Sequence, residues 1–165
     1  MMAGWWPTKV RQFVRHIGAR MSRAERAELA GWLTGPQMEL FESMHPADKR
    51  HGLDVVRALR QAGHDEPDVL LAGLLHDSGK GPSIGVWHRV GWSLGVRYGS
   101  RVRAVVVRLP GFNRAFDVLD AHAQTSAALA LVAGCSERCA ALIRHQDDPI
   151  DDTFGEALRL ADEAN

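Results

Sequence analysis

The sequence predicts a single all-α domain on three observations. Apolar residues recur three and four positions apart, while the strict alternation of a half-buried strand is scarce. Proline, glycine and Ser/Thr-x-x-Glu punctuation cuts the chain into about eight to ten pieces of helical length. The chain has 165 residues, of which 45% are hydrophobic, enough for one core.

The elements follow in order. Pro7 opens a helix whose Val10, Phe13, Val14 and Ile17 form one stripe. Ser22 and Glu25 make a capping box that leads to Leu29, Trp32 and Leu33. Gly35-Pro36 breaks that helix and starts a short one containing Met38, Leu40 and Phe41. Pro46 opens a longer helix ending at Gly63, and Asp65-Glu66-Pro67 opens the next, which runs to Ser78-Gly79. Further helices are expected over 83–98, 101–109 and 113–133, with Gly134 as the stop of the last. Val105-Val106-Val107 is β-prone, but an isolated strand has no partner, so helix or turn is expected there. Ser136 restarts a helix through His145, Pro149 ends it, and Thr153 with Glu156 caps the final one.

Composition narrows the function classes. No apolar stretch approaches the roughly 20 residues that span a bilayer. The start lacks the basic region and apolar run of a secretory signal. Cys135 and Cys139 stand four apart on an expected helix, which suits a reduced cytoplasmic pair. Net charge is zero but uneven. Lys80, Arg89, Arg97, Arg101, Arg103, Arg108 and Arg114 lie in an acid-free stretch, while the chain after Asp147 is acidic. That basic stretch is either a source of phosphate contacts or a solvated face balanced by the tail. It lacks the stacking platforms of nucleic-acid modules, so no nucleic-acid partner is expected. Trp5-Trp6 with Lys9, Arg11, Arg15 and Arg20 leaves peripheral membrane contact through residues 1–20 as a lesser reading, beside packing on the domain.

The chemistry gathers at His76-Asp77. The pair closes the apolar run Val69 to Leu75 and precedes Ser78-Gly79-Lys80. An imidazole beside a carboxylate in so apolar a setting is costly unless compensated, and a metal ion is the usual compensation. His51 shares a face with Val55 and Leu59, His122 with Phe116 and Leu119, His145 with Leu142, and Asp162 with Leu158 and Ala161. Any one of these alone is more often a satisfied core or surface residue. Together they offer ligands for one divalent ion or two, with iron, manganese, zinc, cobalt or nickel suited to imidazole plus carboxylate. A zinc site from Cys135, Cys139 and His145 is a weaker reading, since no fourth ligand stands nearby.

These residues resemble the HD-domain superfamily of metal-dependent phosphohydrolases. The match is to the order His, His-Asp, Asp, here His51, His76-Asp77 and Asp162, within "KRHGLDVVRALRQAG", "DVLLAGLLHDSGK" and "ALRLADEAN". It covers residues 46–165 as the metal-binding helical domain, with 1–45 as a helical extension packed on it. Ser78, Gly79 and Lys80 depart from the nucleotidase-like members, which place a catalytic acid shortly after the His-Asp pair. His122 and His145 resemble, in order and spacing, the extra histidines of HD-GYP-like members. By that resemblance Asp77 bridges two ions, His51, His76 and Asp162 complete one, and His122 and His145 the other. Gln146 stands where such members often carry a second adjacent histidine, and the Gly-Tyr-Pro motif is not present.

The resemblance implies a phosphohydrolase that cleaves a nucleotide or other small phosphoester with a metal-activated hydroxide. Asp77 and Lys80 are the expected catalytic residues. Lys80 and Arg89 are the expected substrate contacts, with His88 at the mouth of the site. The alternative is a sensor module that binds metal or nucleotide without turnover.

Overall fold

A computed structural model describes residues 21–82, 84, 88 and 98–165. The first expected helix, the segment 1–20 considered for membrane contact, Arg89 and most of the helix expected over 83–98 lie outside the described residues.

Among the described residues the fold is all-α, without strands. The helices are α1 (Arg23–Ala30), α2 (Gly35–Ser43), α3 (Pro46–Gln61), α4 (Pro67–Leu75), α5 (Ser100–Val106), α6 (Phe112–Asp120), α7 (His122–Val132), α8 (Glu137–Arg144) and α9 (Gly155–Ala164). A 3-10 turn, Ser78–Lys80, follows α4. None of these helices is long and apolar enough to cross a membrane.

The helix ends follow local chemistry. At α1 the Ser22 Oγ accepts from Glu25 N–H, and the Glu25 carboxylate accepts from Ser22 N–H at 2.7 Å. At the ends of α3 and α7, Gly63 and Gly134 take positive φ. His64 N–H then reaches the Leu59 carbonyl and Cys135 N–H the Ala130 carbonyl, closing both helices with Schellman bonds. The start of α8 is tied to the start of α4, because the Ser136 hydroxyl accepts from Cys139 N–H and donates to Asp68 at 2.6 Å.

Helix α4 positions the site. Every residue from Val69 to Leu75 is buried. A helix apolar on all sides belongs in the centre of a bundle, and α3, α8, α9 and α2 surround it. Its neighbours supply Phe41, Val55, Leu59, Cys139, Ile143 and Leu158 to one continuous core. Leu29, Phe41 and Met44 join that core, so the described part of the extension is packed on the domain. Whatever follows Leu75 therefore begins in the interior.

Three sequence expectations are corrected. The helix expected over 113–133 is two helices broken at Ala121, whose φ of −100° and ψ of 2° leave the helical region. The break lets the His122 ring turn back to donate Nδ1–H to the Leu119 carbonyl at 2.5 Å, satisfying an acceptor at the end of α6. Thr153 and Glu156 do not cap α9, whose N-cap position is Phe154 with no side-chain cap bond; Asp151 instead holds the turn before it, accepting from Thr153 and Phe154 N–H at 2.9 Å each. Helix α4 ends at Leu75 rather than near Gly79, and the chain tightens into the 3-10 turn. The triple valine lies in the end of α5 and the turn beyond it.

Candidate metal centre

Consecutive residues of an α-helix diverge by about 100°, so His76 and Asp77 on a continuing helix would point apart. The early end of α4 removes that conflict. Asp77 takes φ −98° and ψ 2°, in the sparsely allowed bridge region. Its carboxylate swings back, and Asp77 Oδ1 lies 3.6 Å from His76 Nε2.

Two close approaches hold this turn. A Cβ on Gly79 would meet the His122 carbonyl oxygen at 2.5 Å and Ser126 N at 2.7 Å, so only glycine lets the turn sit against α7. There Gly79 N–H donates to Ser126 Oγ at 2.8 Å. On the other side, a Cβ on Gly52 would lie 2.5 Å from the Leu74 carbonyl oxygen. That bare backbone lets α3 press on α4 and brings the His51 and His76 rings to 5.1 Å.

The side chains converge from four elements. His51 Nε2 lies 2.7 Å from Asp162 Oδ1, and His76 Nε2 lies 3.4 Å from the same oxygen. Asp77 Oδ1 also faces His122 Nε2 at 3.7 Å. Lys80 Nζ donates to Asp77 Oδ2 at 2.6 Å. Ligand atoms of His51, His76 and Asp77 lie within 4.8 Å of one another, the one such group of three or more among the described residues. His76 and Asp77 are each about 3% exposed at the side chain, so the pair is cut off from water.

Electrostatics follow from that burial. Burial opposes charge on His76, but the Asp77 and Asp162 carboxylates outweigh it and raise its pKa to about 9. Burial likewise opposes charge on Asp77, yet Lys80 and then His76 hold its carboxyl well below the usual range. Asp162 is held low against its burial by hydrogen bonds to His51 and His76. His122 is pushed down by burial and by Lys80, against the pull of Asp77, so its ring is neutral near pH 7.

The donor set fits a transition metal ion. His76 Nδ1 faces the Gly73 carbonyl at 3.0 Å, and His122 Nδ1 faces that of Leu119. Each ring therefore carries a hydrogen on Nδ1, the outer-shell arrangement that orients ligating histidines; His122 presents a bare Nε2, and His76 would do so once its Nε2 proton is displaced. His76 Nε2 faces two carboxylate oxygens at 3.6 and 3.4 Å, an arrangement that a proton or a metal ion between them makes favourable. The two carboxylates are balanced by the Lys80 ammonium and by the proton that His76 holds, and an ion would take the place of that proton. His51, His76, Asp77 and Asp162 would hold such an ion. Imidazole with carboxylate suits iron, manganese, cobalt, nickel or zinc better than calcium.

The remaining candidates lie as follows. His145 is the half-buried residue that ends α8, and it makes none of these contacts. Its neighbour Gln146 is buried instead, with its Nε2 2.9 Å from His122 Nε2. Sequence reasoning assigned no role to Gln146; the signal was only its place one residue after His145. His88 packs on Phe112, ring centroids 4.9 Å apart. Cys135 and Cys139 are free thiols buried in the core, and Gln37 donates to Cys135 Sγ at 3.7 Å. The hydrogen bond with Cys135, and then burial, push the Cys139 thiol up, as expected of a core residue rather than a zinc thiolate.

No protein-family model, no curated protein and no solved structure matches this chain.

Proposed function

We propose that this protein is a metal-dependent phosphohydrolase acting on a nucleotide or another small phosphoester. One observation carries the reading: ligand atoms of His51, His76 and Asp77 lie within 4.8 Å of one another, with Asp162 Oδ1 2.7 and 3.4 Å from the two imidazole Nε2 atoms. The resemblance of the same four residues to the HD-domain pattern supports it. A divalent ion held there would polarise a phosphoryl oxygen and lower the pKa of bound water.

The chain's own residues supply the rest. Lys80, part-buried and anchored to Asp77, provides a fixed positive charge for a phosphoryl oxygen. Asp77 holds the ammonium and His76 in place, and the apolar body of α4 keeps bulk water from the inner side. The free thiols of Cys135 and Cys139 support a cytoplasmic setting.

The test is phosphate release by the full chain reconstituted with manganese, iron, zinc, cobalt or nickel. The panel covers nucleoside mono-, di- and triphosphates, cyclic nucleotides and nitrophenyl phosphate esters. Turnover should require the metal and fall by about a thousandfold in Asp77→Asn, as befits loss of a main electrostatic element. No metal-dependent turnover across the panel would sink the reading.

A sensor module is the second reading, favoured by the commitment of Lys80 to Asp77 and by Ser78 and Gly79 where a catalytic acid is otherwise placed. Tight nucleotide binding without turnover on the same panel would select it.

A further inference from the structure

We propose that this centre takes one divalent ion per chain, and that the Lys80 ammonium and the His122–Gln146 pair stand where a second ion would sit. The inference rests on the metal reading above and concerns the other half of the same site.

The two oxygens of Asp77 are committed differently. Oδ1 is turned to His76 and His122 at 3.6 and 3.7 Å. Oδ2 accepts from Lys80 Nζ at 2.6 Å. A carboxylate bridging two ions gives one oxygen to each, and here one oxygen already carries a fixed cation. The Lys80 side chain is 18% exposed and the Asp77 side chain 3%, so the pair is poorly screened. A divalent ion at Oδ2 must evict the ammonium or sit beside it against like charge.

The second obstacle is on α7. With Nδ1–H held by the Leu119 carbonyl, His122 has only Nε2 free to bind an ion. Gln146 fills that position with an N–H bond at 2.9 Å. The ring fixes the amide: facing a bare Nε2, only the NH2 end of Gln146 makes a hydrogen bond. Its other end, Oε1, is buried without a protein partner, an acceptor left for a water or a substrate hydroxyl. His145, the remaining imidazole on this side, ends α8 and joins none of these contacts. The two halves are therefore unequal. One offers His51, His76, Asp162 and Asp77 Oδ1 to an ion; the other offers one imidazole already hydrogen-bonded and one oxygen already paired. A phosphoryl group would meet one ion and one ammonium across Asp77 rather than a symmetric pair of ions.

The experiment counts ions rather than turnover. The full chain is loaded with excess manganese, desalted and analysed for metal per chain, and its low-temperature paramagnetic resonance separates an isolated ion from an exchange-coupled pair. The wild type should hold one isolated ion. The combined variant Lys80→Met/Gln146→His, checked for folding by circular dichroism, should rise toward two with a coupled signal. Two coupled ions in the wild type overturn the proposal. So does a folded double variant that stays at one, since ammonium and amide then exclude nothing. Should the double variant not fold, Gln146→His alone is read by the same count: a rise above one supports the proposal, and no rise overturns it. A wild type that binds neither manganese, iron nor zinc removes the metal reading itself, a result distinct from the two-ion outcome.

Discussion

Arg50 and His51 are neighbours in sequence, yet they serve two different clusters of charge around α3. Arg50 turns to α1, donating to Glu25 at 2.7 Å and to Asp54 at 2.9 Å. Arg57 joins both acids. That network has two acids and two guanidinium groups, and each charge has its counterpart. His51 turns to a centre with two carboxylates, one ammonium and a second cation that is only the proton held by His76. The first cluster is complete without a ligand and contributes to folding alone. The second is balanced only while His76 holds a proton, and a charge that an ion can displace separates a binding site from a structural ion network.

The comparison can be broken by removing one member from each cluster. The largest effect is expected at the centre. Asp162→Ala should lower manganese affinity at least ~100-fold, beyond the upper range for losing an outer-shell partner. Turnover should vanish with it. Isothermal titration checks this; unchanged affinity would mean that Asp162 serves only as a hydrogen-bond acceptor for His51.

Next is pH. The His76 pKa is raised from 6.5 to about 9, so metal-free protein gains stability that is fully present below pH 6.5 and lost as pH rises through 9. At 1.36 kcal/mol per unit the span is roughly 3 kcal/mol. Bound metal should flatten that alkaline limb, because the ion replaces the proton. Both clusters contribute an acid limb. Glu25, Asp77 and Asp162 are all held low, so their contribution is present above their ordinary values and lost as pH falls through the folded ones. Of the two clusters, only the centre contributes an alkaline limb through its histidine. Denaturant melts from pH 4 to 10, with and without manganese, would show whether it exists.

Gly52→Ala tests the packing that joins the two sides of α3. The new Cβ would meet the Leu74 carbonyl oxygen at 2.5 Å, so α3 and α4 must separate. A cost of roughly 2 kcal/mol is expected, together with weaker metal binding as His51 is drawn from His76. The smallest effect should come from Arg50→Ala. A part-buried ion pair and its hydrogen bonds are worth about 1 kcal/mol, and metal stoichiometry should not move. Loss of metal in that variant would show that the two clusters are coupled through α3.

The sequence by itself determined that the chain is helical, where most helices start and stop, and which residues turn inward. Three-to-four spacing records which face of a helix is apolar, and caps and Gly63 or Gly134 record its ends, all within a few residues. His51 beside Val55 and Leu59, His76 after Leu74 and Leu75, and Asp162 beside Leu158 and Ala161 were readable for that reason. Tertiary structure alone decided what happens past a helix end. The break at Ala121, the swing of Asp77, the pairing of Lys80 with Asp77, and the burial of Gln146 rather than His145 against His122 depend on elements far apart in sequence. Periodicity fixes a direction around one axis. It does not fix how the last turn unwinds, or which side chain a neighbouring helix meets there.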